Sequence, residues 1–297
     1  HDLGHPPFGH IAEQVLDEAL KRKGVADGYE GNAQSFRIVT KVAIKSLDYT
    51  GLNLTRASLN AILKYPWPRN VAGKEHSKWG YYYSEKDDFD FARALMTSSD
   101  RRQSVEAALM DWADDVTYSV HDVDDFYRAG LIPLDRILLD TEERDLFIED
   151  VYDRWENEKG TSINVLPPDQ AKTEFFGKLA KFVDELLVPF RGSQSQRAEL
   201  NFLSSLLIRR YIVGAPQEGI KAINLTNETE SFVRIEPRLR VEVDLLKELM
   251  RYYVFENPAL LSQQYGQRIV VNQLFEILHE AAKPNSKNQG LIPYPFS

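Results

Sequence analysis

Val105, Leu109, Trp112, Val116, Val120, Val123 and Tyr127 recur at spacings of three and four, the repeat that lines one face of an α-helix with apolar side chains. Residues 103–129 therefore read as one long helix, ended by Gly130. A stripe of that length must be covered, and the rest of the chain offers mostly helices to cover it. Residues 10–23 are amphipathic and stop at Gly24. Helices are also expected at 32–47, at 56–64 before Pro66 and Pro68, and at 84–96. Beyond Gly130 the pattern predicts helices at 142–156, 169–187, 196–213, 240–255 and 258–282. Only 220–225 and 231–235 read as strands, with Asn227 between them suited to a hairpin turn. The expected fold class is all-α, with at most a small β-hairpin in the C-terminal half. Gly160 and two prolines make 159–168 the weakest seam. It would divide a catalytic lobe, 1–158, from a C-terminal helical lobe, 159–297, of one fold.

Hydrophobic residues form 43% of the 297, enough for a large core. The net charge of −9 is unlike that of a duplex-DNA module, which is usually basic. An acidic chain that takes polyphosphate must gather Lys and Arg locally or hold a metal cation. The absence of cysteine excludes disulfides and thiolate-bound metals, and fits a reducing, cytoplasmic compartment. No apolar run is long enough to span a bilayer. The chain starts at His1 without a Met, as an internal piece of a longer protein would.

Three of the six histidines fall in the first ten residues, HDLGHPPFGH. The His1–Asp2 doublet suits a hard or borderline divalent metal: Mn²⁺ or Mg²⁺ first, with Fe, Co, Ni or Zn in the wider set. Pro6 and Pro7 turn the chain, and His10 opens a helix on which Glu13 lies three residues on, on the same face. A carboxylate there can fix the imidazole tautomer, which makes His10 and Glu13 a candidate acid/base pair. A lone His–Asp pair is usually structural; three clustered histidines with two carboxylates around a Pro–Gly turn point to chemistry. On the long helix, Asp114, Tyr118 and Asp122 lie one turn apart, opposite the apolar stripe, with Asp111 and Asp125 nearby. A solvated acidic face is the plain reading of such a helix. A metal with one Asp as ligand is the other, and a tyrosine among the acids fits a pocket better.

These segments, with GYEGNAQSFRI, GLNLTRASLNAILKYPW, GYYYSEKD and ADDVTYSVHDVDD, follow one another over residues 1–130 in an order that resembles the deoxyguanosinetriphosphate triphosphohydrolase (dGTPase-like) family of the HD-domain superfamily. Further on, INLT, YYVFENP and QQYGQRIV are similar only in general. The resemblance implies an HD-domain helical fold and a metal-dependent hydrolase that cleaves dGTP or other dNTPs to deoxynucleoside and triphosphate. It implies metal ligation by His1, Asp2 and Asp114, since the family spaces that Asp, a Tyr and a second Asp by four. Asp115 is out of that register. It implies catalytic roles for His10 and Glu13 near the α-phosphate, and a place for His5 by the phosphates. Lys64, Tyr65, Lys78, Tyr118 and Asp122 would contact the nucleotide, with Glu30, Asn32 and Gln34 beside the pocket. An upstream His ligand and a far C-terminal family segment have no counterpart here. Family members form homo-oligomers, often hexamers, and some are activated by a second dNTP. The rival readings are another HD-type nucleotide phosphohydrolase or phosphodiesterase, and a non-catalytic helical protein that binds nucleotide or single-stranded nucleic acid.

Overall fold

Helix dominates because the apolar spacing demands it: the protein is 65% helical with 5% strand, an all-α fold. The computed structural model describes residues 2–71, 74–96, 100–158, 165–228, 230–255 and 257–292. They form two compact units, His1–Met110 with Leu261–Ser297, and Asp111–Leu260.

The helices of the first stretch are α1 (His10–Arg22), α2 (Gly31–Arg37), α3 (Arg56–Ala61) and α4 (Lys86–Arg93). Glu30 caps α2, accepting the backbone N–H groups of Asn32 and Ala33, and Thr55 caps α3 through Ser58. Phe36, Val39, Leu59, Leu63, Tyr81 and Ala92 make a small core. The helix expected at 32–47 is shorter: α2 widens into a π turn at Ile38–Val42 and the chain leaves it at Ala43. Leu52 N–H donates to the Val39 carbonyl at 2.8 Å, so the returning chain lies across the helix end. A Cβ on Gly51 would meet that carbonyl at 2.3 Å, so glycine is required there. Leu47, expected on the helix, is fully exposed.

The second unit holds the large core. In α5 (Val105–Arg128) the stripe residues Trp112, Val116, Val120, Val123 and Tyr127 are buried, as their spacing predicts. They pack in one cluster with side chains of α6 (Leu134–Leu139), α7 (Thr141–Glu158), α10 (Gln194–Val213) and α11 (Pro237–Met250). Trp112 also donates its indole N–H to the Tyr211 carbonyl at 2.8 Å. Removing that ring would cost about 3–5 kcal/mol. The single helix expected at 169–187 is broken. Short helices α8 (Pro168–Gln170) and α9 (Gly177–Leu179) flank a π turn, Ala171–Phe176, and two 3-10 turns follow. Phe175 and Phe176, at the end of this widened turn, are both buried in the large core. Leu166 and Ala171 share the cluster with Phe147 and Val151, so both sides of the 159–168 stretch belong to one core. The boundaries of the compact units fall instead inside α5 and α12 (Pro258–Ala281).

Strand is confined to three antiparallel pairs among the described residues: β1 (Asn70–Val71) with β2 (Lys74–Glu75), β3 (Gly214–Ala215) with β4 (Ile220–Lys221), and β5 (Ile223–Leu225) with β6 (Val233–Ile235). The last is the hairpin expected from the sequence, in register Ile223↔Ile235 and Leu225↔Val233. Among the described residues no helix is long and apolar enough to cross a membrane.

Candidate active site

Two glycines let the N-terminal motif lie against α2. Gly4 N–H donates to Ser35 Oγ at 2.9 Å, and the Tyr29 hydroxyl donates to the Gly4 carbonyl at 2.6 Å. A Cβ on Gly4 would sit 2.3 Å from the Gly31 carbonyl, and one on Gly31 would sit 2.8 Å from the His5 ring. This close approach seats His5 beside the start of α2. Asp2 Oδ1 and His5 Nδ1 are 3.5 Å apart. Pro6–Gly9 then turns the chain, with Gly9 N–H on the Pro6 carbonyl at 3.0 Å and left-handed backbone at Phe8 and Gly9. His10 follows as the first residue of α1.

One helical turn on, Glu13 is buried and His10 is not. His10 Nδ1 lies 2.8 Å from Glu13 Oε2, while 72% of the His10 side chain is exposed. Glu13 Oε1 accepts the Gly31 N–H at 2.7 Å, and Lys78 Nζ donates to Oε2 at 2.9 Å. Burial alone would raise the Glu13 carboxyl; the bonds from His10, Gly31 and Lys78 outweigh it and bring it down to about 2. Glu13 is therefore an ionised, acceptor-only group, and His10 Nδ1 must carry the proton between them. In the neutral ring this leaves Nε2 with a lone pair.

Lys78 also reaches Glu30 Oε1, at 3.3 Å. Burial pushes the Glu30 carboxyl up, opposed by bonds from Asn32 and Ala33 and by the charge of Lys78. Burial would lower the Lys78 ammonium, but the two carboxylates raise it.

His10, Glu13, Glu30 and Lys78 line a cavity of about 540 Å³ together with Asp17, Tyr29, Arg69, Glu75, His76 and Trp79. Its far wall is a second ion-pair network. Arg69 grips Asp17 with both terminal nitrogens, at 2.5 and 3.0 Å, bonds Glu75 at 2.8 Å, and stacks on Trp79 at 4.4 Å. Tyr65, Trp67 and His76 run in a row with ring centroids 5.7 Å apart, and Lys64 Nζ stands 6.0 Å from the Tyr65 ring.

The first unit thus brings together His10, Glu13 and Lys78, with Asp2 beside His5. Lys78, expected at the nucleotide, is engaged by two carboxylates. Lys64 and Tyr65 are half-buried in the segment that follows α3. Asn32 donates its side-chain amide to Glu30 at 2.9 Å, and Gln34 lies on α2. His1 lies outside the described residues. In the second unit, Asp114 and Asp122 are half-buried on α5 and Tyr118 is 50% exposed. Burial raises the Asp122 carboxyl, with Asp125 acting the same way. Asp115, the alternative to Asp114, is held by Arg240 at 2.7 Å and by Lys247 at 2.5 Å, one cation on each oxygen. Among the described residues no three His, Asp or Glu are grouped to hold a metal. The donor chemistry nonetheless fits a divalent ion, with the Asp2 carboxylate and His5 imidazole already adjacent. The sequence reading left out Asp17, Arg69, Glu75 and His76. Arg69 carried a faint signal, an arginine closing the Pro66–Pro68 turn, but nothing in the sequence pairs it with Asp17.

Among curated proteins, the chain is 36% identical over 292 residues to the "Deoxyguanosinetriphosphate triphosphohydrolase-like protein" of Streptomyces coelicolor and 36% over 289 residues to that of Corynebacterium efficiens. A protein of the same description from Corynebacterium glutamicum is 34% identical over 286 residues. Each match covers 94% of this chain, which spans 64% of the length of those relatives. No family model matches the chain.

Proposed function

Because the chain belongs to the deoxyguanosinetriphosphate triphosphohydrolase-like family, we propose that it serves a metal-dependent hydrolase that cleaves dGTP or other dNTPs to deoxynucleoside and intact triphosphate. The observation that carries this reading is the His10–Glu13 pair, its carboxylate buried and ionised and its imidazole exposed at a cavity. With Nδ1–H fixed on Glu13, His10 Nε2 can take a proton from the attacking water or, once protonated, give one to the leaving O5′. Water forms the new bond to the α-phosphorus, the P–O5′ bond breaks, and O5′ departs with a proton. His5, on the same N-terminal segment, would face the phosphates.

The cavity lining favours a cation of its own. Four carboxylates, Glu13, Asp17, Glu30 and Glu75, face two cations, Arg69 and Lys78, which are already bonded to them. A triphosphate would be repelled by such a wall unless further positive charge offsets it. From the family resemblance, His1, Asp2 and Asp114 would be the ligands of a divalent metal, Mn²⁺ or Mg²⁺, which would supply Lewis acidity at the α-phosphate. Asp114 is preferred to Asp115 because it alone keeps the four-residue register with Tyr118 and Asp122. Lys64, Tyr65 and Lys78 would contact the nucleotide or its outer phosphates, and Asp122 the nucleoside. Tyr118 would pack under the sugar, where a 2′-hydroxyl does not fit. Homo-oligomer formation and activation by a second dNTP belong to the same reading. Product analysis on each dNTP tests it.

A further inference from the structure

We infer a second anion site in the first unit: Arg93, Arg101 and the Tyr81 hydroxyl form a receptor for the phosphate group of a small organic phosphate ester, apart from the His10–Glu13 cavity. Arg93 ends α4 and lines a cavity of about 650 Å³ with Trp67, Tyr81, Phe89, Met96 and Arg101. No residue lining this cavity lines the other. Arg93 is 8% exposed. Among the described residues its acceptors are two neutral oxygens, Asn60 Oδ1 at 3.1 Å and the Asp100 carbonyl at 2.7 Å. A guanidinium has five N–H groups, so these two bonds leave donors to spare. The Asp100 carboxylate is itself taken by Arg102, at 2.7 Å. Burial pulls the Arg93 guanidinium below its ordinary value; Asp100 opposes that shift and Arg102 adds to it. Buried charges are ordinarily bonded to a counter-ion, and Arg93 has none among the described residues.

Tyr81 is a second, independent sign. It is 6% exposed and its ring stacks on Phe89 at 4.0 Å, yet its hydroxyl has no hydrogen-bond partner among the described residues. Burial raises that hydroxyl to about 12, with Asp90 and Asp27 acting the same way, so at neutral pH it is an O–H that can donate. Arg101 acts on the hydroxyl in the opposite sense, which places its cation nearby. The Arg101 side chain is exposed and has no ion-pair partner among the described residues. Of the two carboxylates on the wall, Asp90 is paired with Lys86 at 2.5 Å and Asp100 with Arg102. Positive charge therefore remains on Arg93 and Arg101. Two guanidinium groups and a hydroxyl are all donors, which suits the acceptor oxygens of a phosphate. The cavity has the size of a small-molecule site, and Trp67, Phe89 and Met96 give it apolar walls for the body that carries the phosphate.

The test does not depend on the dNTP-hydrolase reading. Phenyl phosphate and inorganic phosphate are each titrated calorimetrically into the metal-free protein in chloride buffer at low ionic strength. Thermal unfolding without ligand shows that each variant is folded. Phenyl phosphate should bind the wild type at millimolar concentration, and inorganic phosphate should bind about tenfold more weakly because it leaves the apolar walls uncovered. Arg101→Ala should weaken phenyl phosphate about tenfold, and Tyr81→Phe, which keeps the ring and its stack, about threefold or more. Arg93→Gln should abolish binding; the two milder variants carry the test if it does not fold. His10→Ala, in the other cavity, should bind phenyl phosphate as the wild type does. Wild-type affinity in both Arg101→Ala and Tyr81→Phe, a loss in His10→Ala instead, or no binding to the wild type would each overturn the site. Equal affinity for the two probes would overturn the organic body.

Discussion

His10 Nδ1 and Glu13 Oε2 meet at 2.8 Å across one turn of α1, with the carboxylate buried and most of the imidazole in the open. Gly31 N–H holds the other oxygen, Oε1, and Lys78 donates to Oε2 beside His10, so the ring is oriented by a carboxylate bonded at both oxygens. His10→Ala and Glu13→Gln should each reduce the turnover of dNTP by roughly 10²–10⁴-fold while bound metal stays at the wild-type level. Single-turnover rates and metal analysis on the same samples check this. Unchanged rates in both variants would remove the pair from the mechanism.

The same carboxylate should mark the acid limb of stability. Glu13 has its folded value lowered to about 2 from 4.5, so between those values the folded protein binds fewer protons than the unfolded chain. Its contribution is present above 4.5 and is lost as the pH falls toward 2. Urea midpoints measured at about pH 5 and about pH 3 should converge for wild type and Glu13→Gln as the pH drops. A gap that stays constant would show that Glu13 is not held ionised by the fold.

The glycines of the two motifs give a stability test. Gly4→Ala should be the worse of the two, because its Cβ would meet backbone atoms, the Gly31 carbonyl and Ser35 nitrogen, at 2.3 Å. Gly31→Ala meets the His5 ring at 2.8 Å, and a side chain can shift. Losses of about 1–3 kcal/mol are expected, with the order Gly4 above Gly31. Thermal unfolding gives both the size and the order.

Much of this was legible in the sequence, for local reasons. The α5 stripe and the His10–Glu13 pair depend only on helical periodicity, which is written in the residue spacing. The hairpin at Ile223–Ile235 follows from a turn residue between two short apolar runs. What the sequence could not carry is contact between distant segments. Arg69 meets Asp17 across 52 residues and Lys78 meets Glu13 across 65, and no periodicity links them. Lys78, which the resemblance puts at the nucleotide, also has two carboxylates as neighbours in space. The helix expected at 169–187 is broken by a π turn at Ala171–Phe176 and by 3-10 turns after it, local backbone departures that apolar spacing does not record.

Adjacent aspartates on α5 should separate structure from metal binding. Asp115→Ala removes bonds to Arg240 and Lys247, all three side chains being partly exposed, so a loss of about 1 kcal/mol or less is expected, with bound metal unchanged. Asp114→Ala should lower bound metal and abolish turnover with helicity preserved. Equal metal content in wild type and Asp114→Ala would contradict the assignment.

The bond that breaks tests the account most directly. The protein is incubated with each dNTP and Mn²⁺ or Mg²⁺ in ¹⁸O-water, and the products are separated and weighed by mass spectrometry. Attack at the α-phosphorus with loss of O5′ predicts deoxynucleoside and intact triphosphate, with the label on a terminal phosphate of the triphosphate and none on the nucleoside hydroxyl. Release of dNMP with pyrophosphate, or of dNDP with phosphate, would contradict it.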